Sequence, residues 1–402
     1  MTDVLAGQET SVPPALELKT PTAVDVFTRI LTHGPIGRID ITRQTGLSQA
    51  SVTKAVTPLI DGGYVAVQGK LPTGLAPGRP VYPLSVVPHS LLALGIKVNI
   101  DEVIGVATTM RAEVIETLHR PLPDTSVDTV LEVVIDIAEQ LTARLGTSAA
   151  RLAGVGVSVS GDVDTRHGVV RHSPLLGWRD VRLGAALASR LRLRVLVDND
   201  VRALTNAEDW FGVGVDADSF AIVTIGAGIG CGLYLNGDVV AGAHGVAGEI
   251  GHLPLASEDL VCTCGRRGCV ETEASSSAIL AAVRTGTGRA ELTLAQAADL
   301  AHAGESLAIA AFERAGTVIG TAIAAMVNLT GPEIVLVAGE SVADFDLFER
   351  RIREAFAAHA FGAAADCRIV TRSHTFDDWA RGAAASVIRA AVRQDRFLEP
   401  TR

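Results

Sequence analysis

The sequence predicts an α/β chain in two unequal parts: a small head, and a large body of two similar halves facing each other across a cleft. Three observations predict this. Between residues 20 and 60, apolar side chains recur at helical spacing in short runs broken by Gly and Pro. Residues 64–87 hold two strand-like alternations around a Gly/Pro-rich stretch. From about residue 90, apolar strand-like runs alternate with amphipathic helical ones, and the order repeats once. The chain has 402 residues, 48% of them hydrophobic and 20% charged, enough for two or three domains with substantial cores.

Residues 1–19 mix Thr, Ser and Gly with Pro13-Pro14, show no periodicity, and read as a disordered lead-in. In the head, residues 20–87, Val24, Phe27, Ile30 and Leu31 make one helical face, stopped by His33-Gly34-Pro35. A short helix fits Arg38 to Thr45, and a third, Gln49 to Ile60, carries Val52, Val56, Leu59 and Ile60 on one side. Between them, Gly46 suits a tight turn with positive φ and Ser48 suits an N-cap, which is the helix-turn-helix arrangement. Pro58 should kink the third helix or begin a fresh turn. Tyr64–Gln68 and Val81–Val87 then make a two-stranded wing. At its tip Arg79, held between Gly78 and Pro80, fits either a minor-groove arm or an ordinary loop.

In the body, Leu91–Val98, Glu102–Thr108 and Val114–Leu118 read as a meander of strands. Val127–Leu145 reads as a helix, Leu152–Val159 as a buried strand, Val181–Leu191 as a helix, Val195–Asp198 as a strand and Val201–Phe211 as a helix. The logic repeats with strands Phe220–Thr224, Gly230–Leu235 and Asp238–Ala241, long helices, the strand Ile334–Ala338 and a closing helix, Trp379–Val392. A first lobe over 88–200, closed by a C-terminal helix within 379–395, and a second over 201–378 follow.

The net charge of −10 argues against nucleic-acid binding over the whole surface. It is unevenly spread: residues 1–85 hold 7 basic and 6 acidic side chains, residues 86–402 hold 28 and 39. A mildly basic head on an acidic body suits local contact with DNA. No secretion signal and no uninterrupted run of 18 apolar residues is found, so a cytoplasmic chain without a membrane span is expected. In that reducing compartment the five cysteines point to metal before disulfide. His252, Cys262, Cys264 and Cys269 have the spacing of a closed Cys₃His site, with Gly265 and Gly268 allowing the chain to bend. The expected ion is one structural zinc per chain, with no open position for catalysis.

The run from Gly248 to His252, then Cys262-Thr-Cys-Gly-Arg-Arg-Gly-Cys-Val-Glu271, resembles the signature of the ROK family of repressors and sugar kinases. The glycine-rich Thr224–Gly232 and Asp198-Asn199-Asp200 match it too. The resemblance, over roughly residues 90–392, implies an actin-like (ribonuclease H-like) sugar-kinase fold. The head, with Thr45-Gly-Leu-Ser48 and Gly78-Arg79-Pro80, is similar to that of the xylose-repressor and N-acetylglucosamine-repressor branch. It implies that Gly161, Asn199, Asp200, Glu249, His252 and Glu271 face a sugar or sugar phosphate, with His252 shared between zinc and ligand. Pro174–Trp178 lies where the family often carries an Asn.

Two functions compete: an ATP-dependent sugar kinase and a sugar-responsive DNA-binding regulator. Phosphoryl transfer needs close backbone N–H groups and a metal-holding Asp. Where the family's kinases read Asp-x-Gly-Gly-Thr-Lys, this chain has Lys97, Asn99, Ile100, Asp101 and Glu102. Ala227 replaces a Thr, Glu340 stands at an adenosine contact, and Arg202 replaces an Asn. Those substitutions favour the regulator, with Asp200 a vestigial base. Gln49, Ser51, Thr53 and Lys54 would then read operator DNA, Arg38 and Arg43 its phosphates and Arg79 its minor groove. The small head implies a homodimer or homotetramer.

Overall fold

The computed structural model describes residues 16–69 and 82–399. Helices α1 (Pro21–His33), α2 (Arg38–Thr45) and α3 (Gln49–Asp61) and the antiparallel strands β1 (Val65–Val67) and β2 (Leu84–Val86) form the head. Phe27, Ile30, Leu31, Ile41, Val52, Val56 and Leu59 meet in its core, because spacings of three and four place them on facing sides of the helices. Gly46 takes φ +70° and the Ser48 hydroxyl accepts the Ser51 N–H at 3.1 Å, so the turn forms as expected.

Pro58 does not break α3, which runs through it to Asp61. Near a helix end it removes one bond, and Lys54, whose carbonyl loses its partner, is exposed to water. Leu18, assigned to the disordered lead-in, is instead buried in the head's core. Residues 1–15 and the wing tip, with Arg79, lie outside the described residues.

The first half of the body begins with the antiparallel strands β3 (Leu92–Val98), β4 (Glu102–Thr109) and β5 (Val114–Pro121). After α4 (Val127–Leu145), β6 (Leu152–Val159) joins β3 in parallel. A small sheet of β7 (Asp162–Asp164), β8 (Val169–Ser173) and β9 (Trp178–Val181) follows, which the sequence does not announce. Val181 ends that sheet, and α5 is shorter than expected, Leu183–Leu191. β10 (Val195–Asn199) pairs in parallel with β6, and α6 (Asp200–Phe211) leaves its end.

The second half repeats the plan with β11 (Ser219–Ile225), β12 (Ile229–Leu235) and β13, which is only Asp238–Val239. Helices α7 (Glu271–Ala274), α8 (Ser276–Thr287), α9 (Leu294–His302) and α10 (Ser306–Thr330) precede β14 (Ile334–Ala338). Then come α11 (Asp346–His359), β15 (Arg368–Thr371) and α12 (Phe376–Arg393). The sheets run β10-β6-β3-β4-β5 and β13-β12-β11-β14-β15, the same order once each half is numbered from its own first strand. By length and composition α10 is apolar enough to cross a membrane, but most of it is buried between α8, α9 and α11 as a core helix.

The last helix of each half crosses over: α6 packs on β12 of the second sheet, and α12 on β3, β4 and β6 of the first. The two cross back to back where Gly382 meets the Ala203 and Leu204 backbone. Gly95 lets α12 lie directly on the sheet. A Cβ there would stand 2.0 Å from the Ala380 carbonyl oxygen and 2.6 Å from the Ala384 nitrogen. Further along α12, Ala384, Ala385, Val387, Ile388 and Val392 share one apolar cluster with α1, α2 and α3. Arg111 also donates to the Leu31 carbonyl at 3.0 Å, so the head is docked on the body.

Glu208, inside α6, is fully buried. It accepts from the Val213 N–H at 3.0 Å and pairs with Arg372 at 3.0 Å and His374 at 3.2 Å. Burial raises its pKa, but His374, that N–H and Arg372 outweigh it and hold the carboxyl below the usual glutamate range. A depressed pKa contributes stability that is complete above the unfolded-state value and is lost as pH falls through the folded one. Glu208→Gln should therefore lower stability at neutral pH and flatten the loss between pH 5 and 3 seen by urea denaturation; an unchanged acid limb would refute this role.

Candidate functional site

The cleft between the halves is a cavity of about 680 Å³. Gly161, Asn199, Asp200, Glu249, His252 and Glu271 all line it, so the structure brings the six sugar-facing candidates onto one surface. The β10–α6 junction sets two of them. Asn199 caps α6 by accepting the Arg202 N–H at 3.1 Å and donates its amide to the Gly161 carbonyl at 3.0 Å, which leaves one amide hydrogen for a ligand.

Asp200 is not free. One carboxylate oxygen accepts the Val201 N–H at 2.9 Å and the other is bonded to the ammonium of Lys97, both side chains being almost wholly buried. Lys97 also lies 5.4 Å from the centre of the Trp379 ring. Sequence reasoning noted Lys97 only as a replacement. Its place in the run Leu-Ala-Leu-Gly-Ile-Lys-Val was a usable signal, because a lysine in a buried strand needs an anionic partner.

The glycine-rich turn between β11 and β12 carries another internal anion. Glu340 accepts the Ala227 N–H at 2.7 Å, and its carboxylate lies against Gly226. Arg202 and Arg171 are further site residues that the sequence did not single out as such. Arg202 pairs with Asp198 and donates to the Gly245 carbonyl at 2.8 Å; Arg171 donates to the His244 carbonyl at 2.7 Å and pairs with Asp162 and Asp164. Together they tie the loop after β13 to the small sheet of the first half.

Opposite, Glu271 accepts the Ile229 N–H at 2.9 Å. Partial burial, reinforced by Glu271, Asp162 and Asp200, pushes the Glu249 carboxyl above its usual range despite His252. His252 turns Nε2 toward Glu249, 4.0 Å away, and Nδ1 toward Cys262 Sγ, 3.7 Å away. The ligand atoms of His252, Cys262, Cys264 and Cys269 all lie within 4.8 Å of one another, and Cys264 and Cys269 sulfurs are 3.7 Å apart. Sulfurs at about 2.3 Å from a tetrahedral zinc stand about 3.8 Å apart, so this cluster can hold a metal ion of that size. The loop is pre-shaped by Cys262 N–H to Arg266 O at 2.8 Å and Gly268 N–H to Leu260 O at 3.0 Å. Cys231 stays apart from the cluster: burial pushes its thiol up to about 12.

On the head, Gln49, Thr53, Lys54 and Arg43 are exposed, while Ser51 is half-buried with its hydroxyl 2.9 Å from that of Ser48. Arg43 pairs with Asp40 at 2.7 Å, an exposed pair that a phosphate could displace at little cost. Arg38, at the start of α2, is half-buried.

Residues 94–390 match the sequence profile of the ROK family. The DNA-binding transcriptional dual regulator NagC of Escherichia coli is 30% identical over 78% of this chain and 79% of its own length. The xylose repressor of Bacillus subtilis is 28% identical over 76% of this chain and 79% of its own. Among solved structures, a ROK family transcriptional regulator, a homologue of the E. coli MLC protein, is 26% identical. It superposes with a TM-score of 0.78 over 93% of this chain and 96% of its own. A ROK family glucokinase from Streptomyces griseus, in complex with glucose and AMPPNP, is 22% identical with a TM-score of 0.64. It covers 73% of this chain and 98% of that one, a likeness of fold.

Proposed function

The chain belongs to the ROK family, and from that premise we propose that it is a sugar-responsive, DNA-binding transcription regulator of carbohydrate genes, acting as a repressor in the cytoplasm. The observation that carries the choice against a kinase is the Lys97–Asp200 pair. A general base must meet the substrate hydroxyl, and here one carboxylate oxygen is engaged by a buried ammonium and the other by the Val201 N–H. Glu340 supports the same choice, because it takes the Ala227 N–H that a phosphate would need.

Operator DNA would meet the exposed face of α3 at Gln49, Ser51, Thr53 and Lys54, with Arg38 and Arg43 on phosphates and Arg79 in the minor groove. A head this small offers too little contact area for tight specific binding, so the regulator acts as a homodimer or homotetramer on paired half-sites. A sugar or sugar phosphate bound across the cleft shifts the lobes only by its differential affinity for their open and closed arrangements.

The test has three arms: ATP-dependent phosphorylation of a sugar panel, binding to a duplex that the protein selects from a random library, and the effect of each sugar on that binding. No turnover, together with duplex binding changed by one sugar, is expected. Robust phosphorylation, or no selected duplex, would sink the reading. Lys54→Ala should weaken duplex binding and relax sequence preference at one position, with sugar affinity unchanged. Unchanged binding and preference would remove Lys54 from the interface.

The metal is zinc, held by His252, Cys262, Cys264 and Cys269 as a structural staple beside Glu249 and Glu271. Metal analysis should return about one zinc per chain, and Cys264→Ser should lose it together with sugar affinity. Metal-free protein with full sugar affinity would contradict the assignment.

A further inference from the structure

A polyol needs polar partners, yet this cleft also carries exposed apolar surface. Ile100, Leu175, Leu260, Val261 and Phe376 are all exposed large apolar side chains, and all five line it. Leu175 is 46% exposed and Val261 62%. Apolar side chains scattered singly over a surface need no explanation, whereas five around one cavity do.

Leu175 is held out by its own turn. Its neighbours Leu176 and Trp178 are buried, the Trp178 indole donates to the Thr125 carbonyl at 2.7 Å, and the Leu176 N–H reaches the Ser173 hydroxyl at 3.4 Å. That turn stands directly over the polar floor. Gly161, which accepts from Asn199, packs so closely on His172 and Ser173 that a Cβ would lie 2.3 Å from the His172 carbonyl oxygen. Leu260 and Val261 face the cleft from the opposite half, on the loop fixed by the Cys262–Arg266 and Gly268–Leu260 hydrogen bonds. Ile100 and Phe376 line the cleft from segments that His119 ties together, bridging Glu102 and Asp377 at 3.2 and 2.9 Å.

We infer that the effector is an amphipathic glycoside, whose polyol rests on Asn199, Glu249, His252 and Glu271 while an apolar aglycone lies between Leu175 and Val261. The cavity, about 680 Å³, has room for both parts. A preformed apolar wall discriminates between ligands that differ by an apolar group by about 10–200-fold. Leu175 is then the residue that sets ligand preference. The inference rests on the sugar-responsive reading, and its test separates the two.

The full-length protein is titrated calorimetrically with methyl and phenyl glycosides, both anomers, of glucose, xylose and N-acetylglucosamine. For the sugar that binds, the phenyl glycoside is expected to bind at least about tenfold more tightly than the methyl one. Leu175→Asn should shrink that ratio about tenfold, and Val261→Thr should shrink it too, each with the melting temperature of the parent. A ratio near one in the parent overturns the inference and leaves the sugar reading intact, since the lips would then close on each other without an aglycone. A ratio that survives both substitutions overturns the placement at Leu175 and Val261. Silence from every glycoside overturns the inference, and the sugar reading is then decided by the sugar panel of the duplex-binding test.

Discussion

Lys97→Met is expected to destabilise the body by about 3–5 kcal/mol, the usual cost of leaving one member of a buried ion pair without its partner. Asp200 would remain in the cleft with only the Val201 N–H, and Trp379 would lose the cation beside its ring. Asp200→Leu should cost a comparable amount for the mirror reason. The double variant should recover much of the loss, because an apolar pair of similar volume needs neither charge compensated. Urea denaturation of all four proteins forms the cycle. A coupling below about 0.5 kcal/mol would mean that the two groups are independent and that the pair does not hold the cleft floor. Lys97→Met should also fail to phosphorylate any sugar, because the Ala227 N–H stays occupied by Glu340.

Gly95→Ala should be comparably damaging, about 3 kcal/mol or more, although it adds one methyl group. The atoms a Cβ would strike are the Ala380 carbonyl oxygen and the Ala384 nitrogen, so no side chain can turn aside. The helix cannot retreat either, since α6 crosses its other side at Gly382 and the head packs on its second half. Loss of soluble protein, or sugar and DNA affinity falling together, is the expected result. A control of opposite sign is Gly286→Ala in α8. There the new methyl meets only the Leu307 side chain at 3.4 Å, so the change should be neutral or stabilise by up to about 1 kcal/mol. Equal denaturation midpoints for Gly95→Ala and the parent would show that α12 is free to shift.

Much of the fold was legible because burial writes a period into long elements. Val127–Leu145, Leu152–Val159 and Ile334–Ala338 coincide with their expected bounds. The small sheet was not legible: β7 is Asp-Val-Asp and β8 ends Arg-His-Ser, too short and too polar for an alternation to stand out. At Pro58 the helix runs on to Asp61, because the cost of a proline depends on its distance from the helix end. Of the site, the His252, Cys262, Cys264 and Cys269 cluster and the acidic residues were carried by spacing and motif. Lys97–Asp200, Glu340–Ala227 and Arg202–Gly245 were not, because they join segments whose proximity only the fold creates.

Helix α12 begins with Phe376 and Trp379 at the cleft and ends among the residues that seat the head. It therefore joins the cleft to the head through one continuous element, crossed by α6 at Gly382. From Gly382 to its end at Arg393 it runs about 16 Å, so a 10° tilt of the helix together with its sheet would move the head end by about 3 Å. Neighbouring base pairs are about 3.4 Å apart along a duplex, so in the proposed homodimer a tilt of that size in each chain would shift the two heads by about one base-pair step or more.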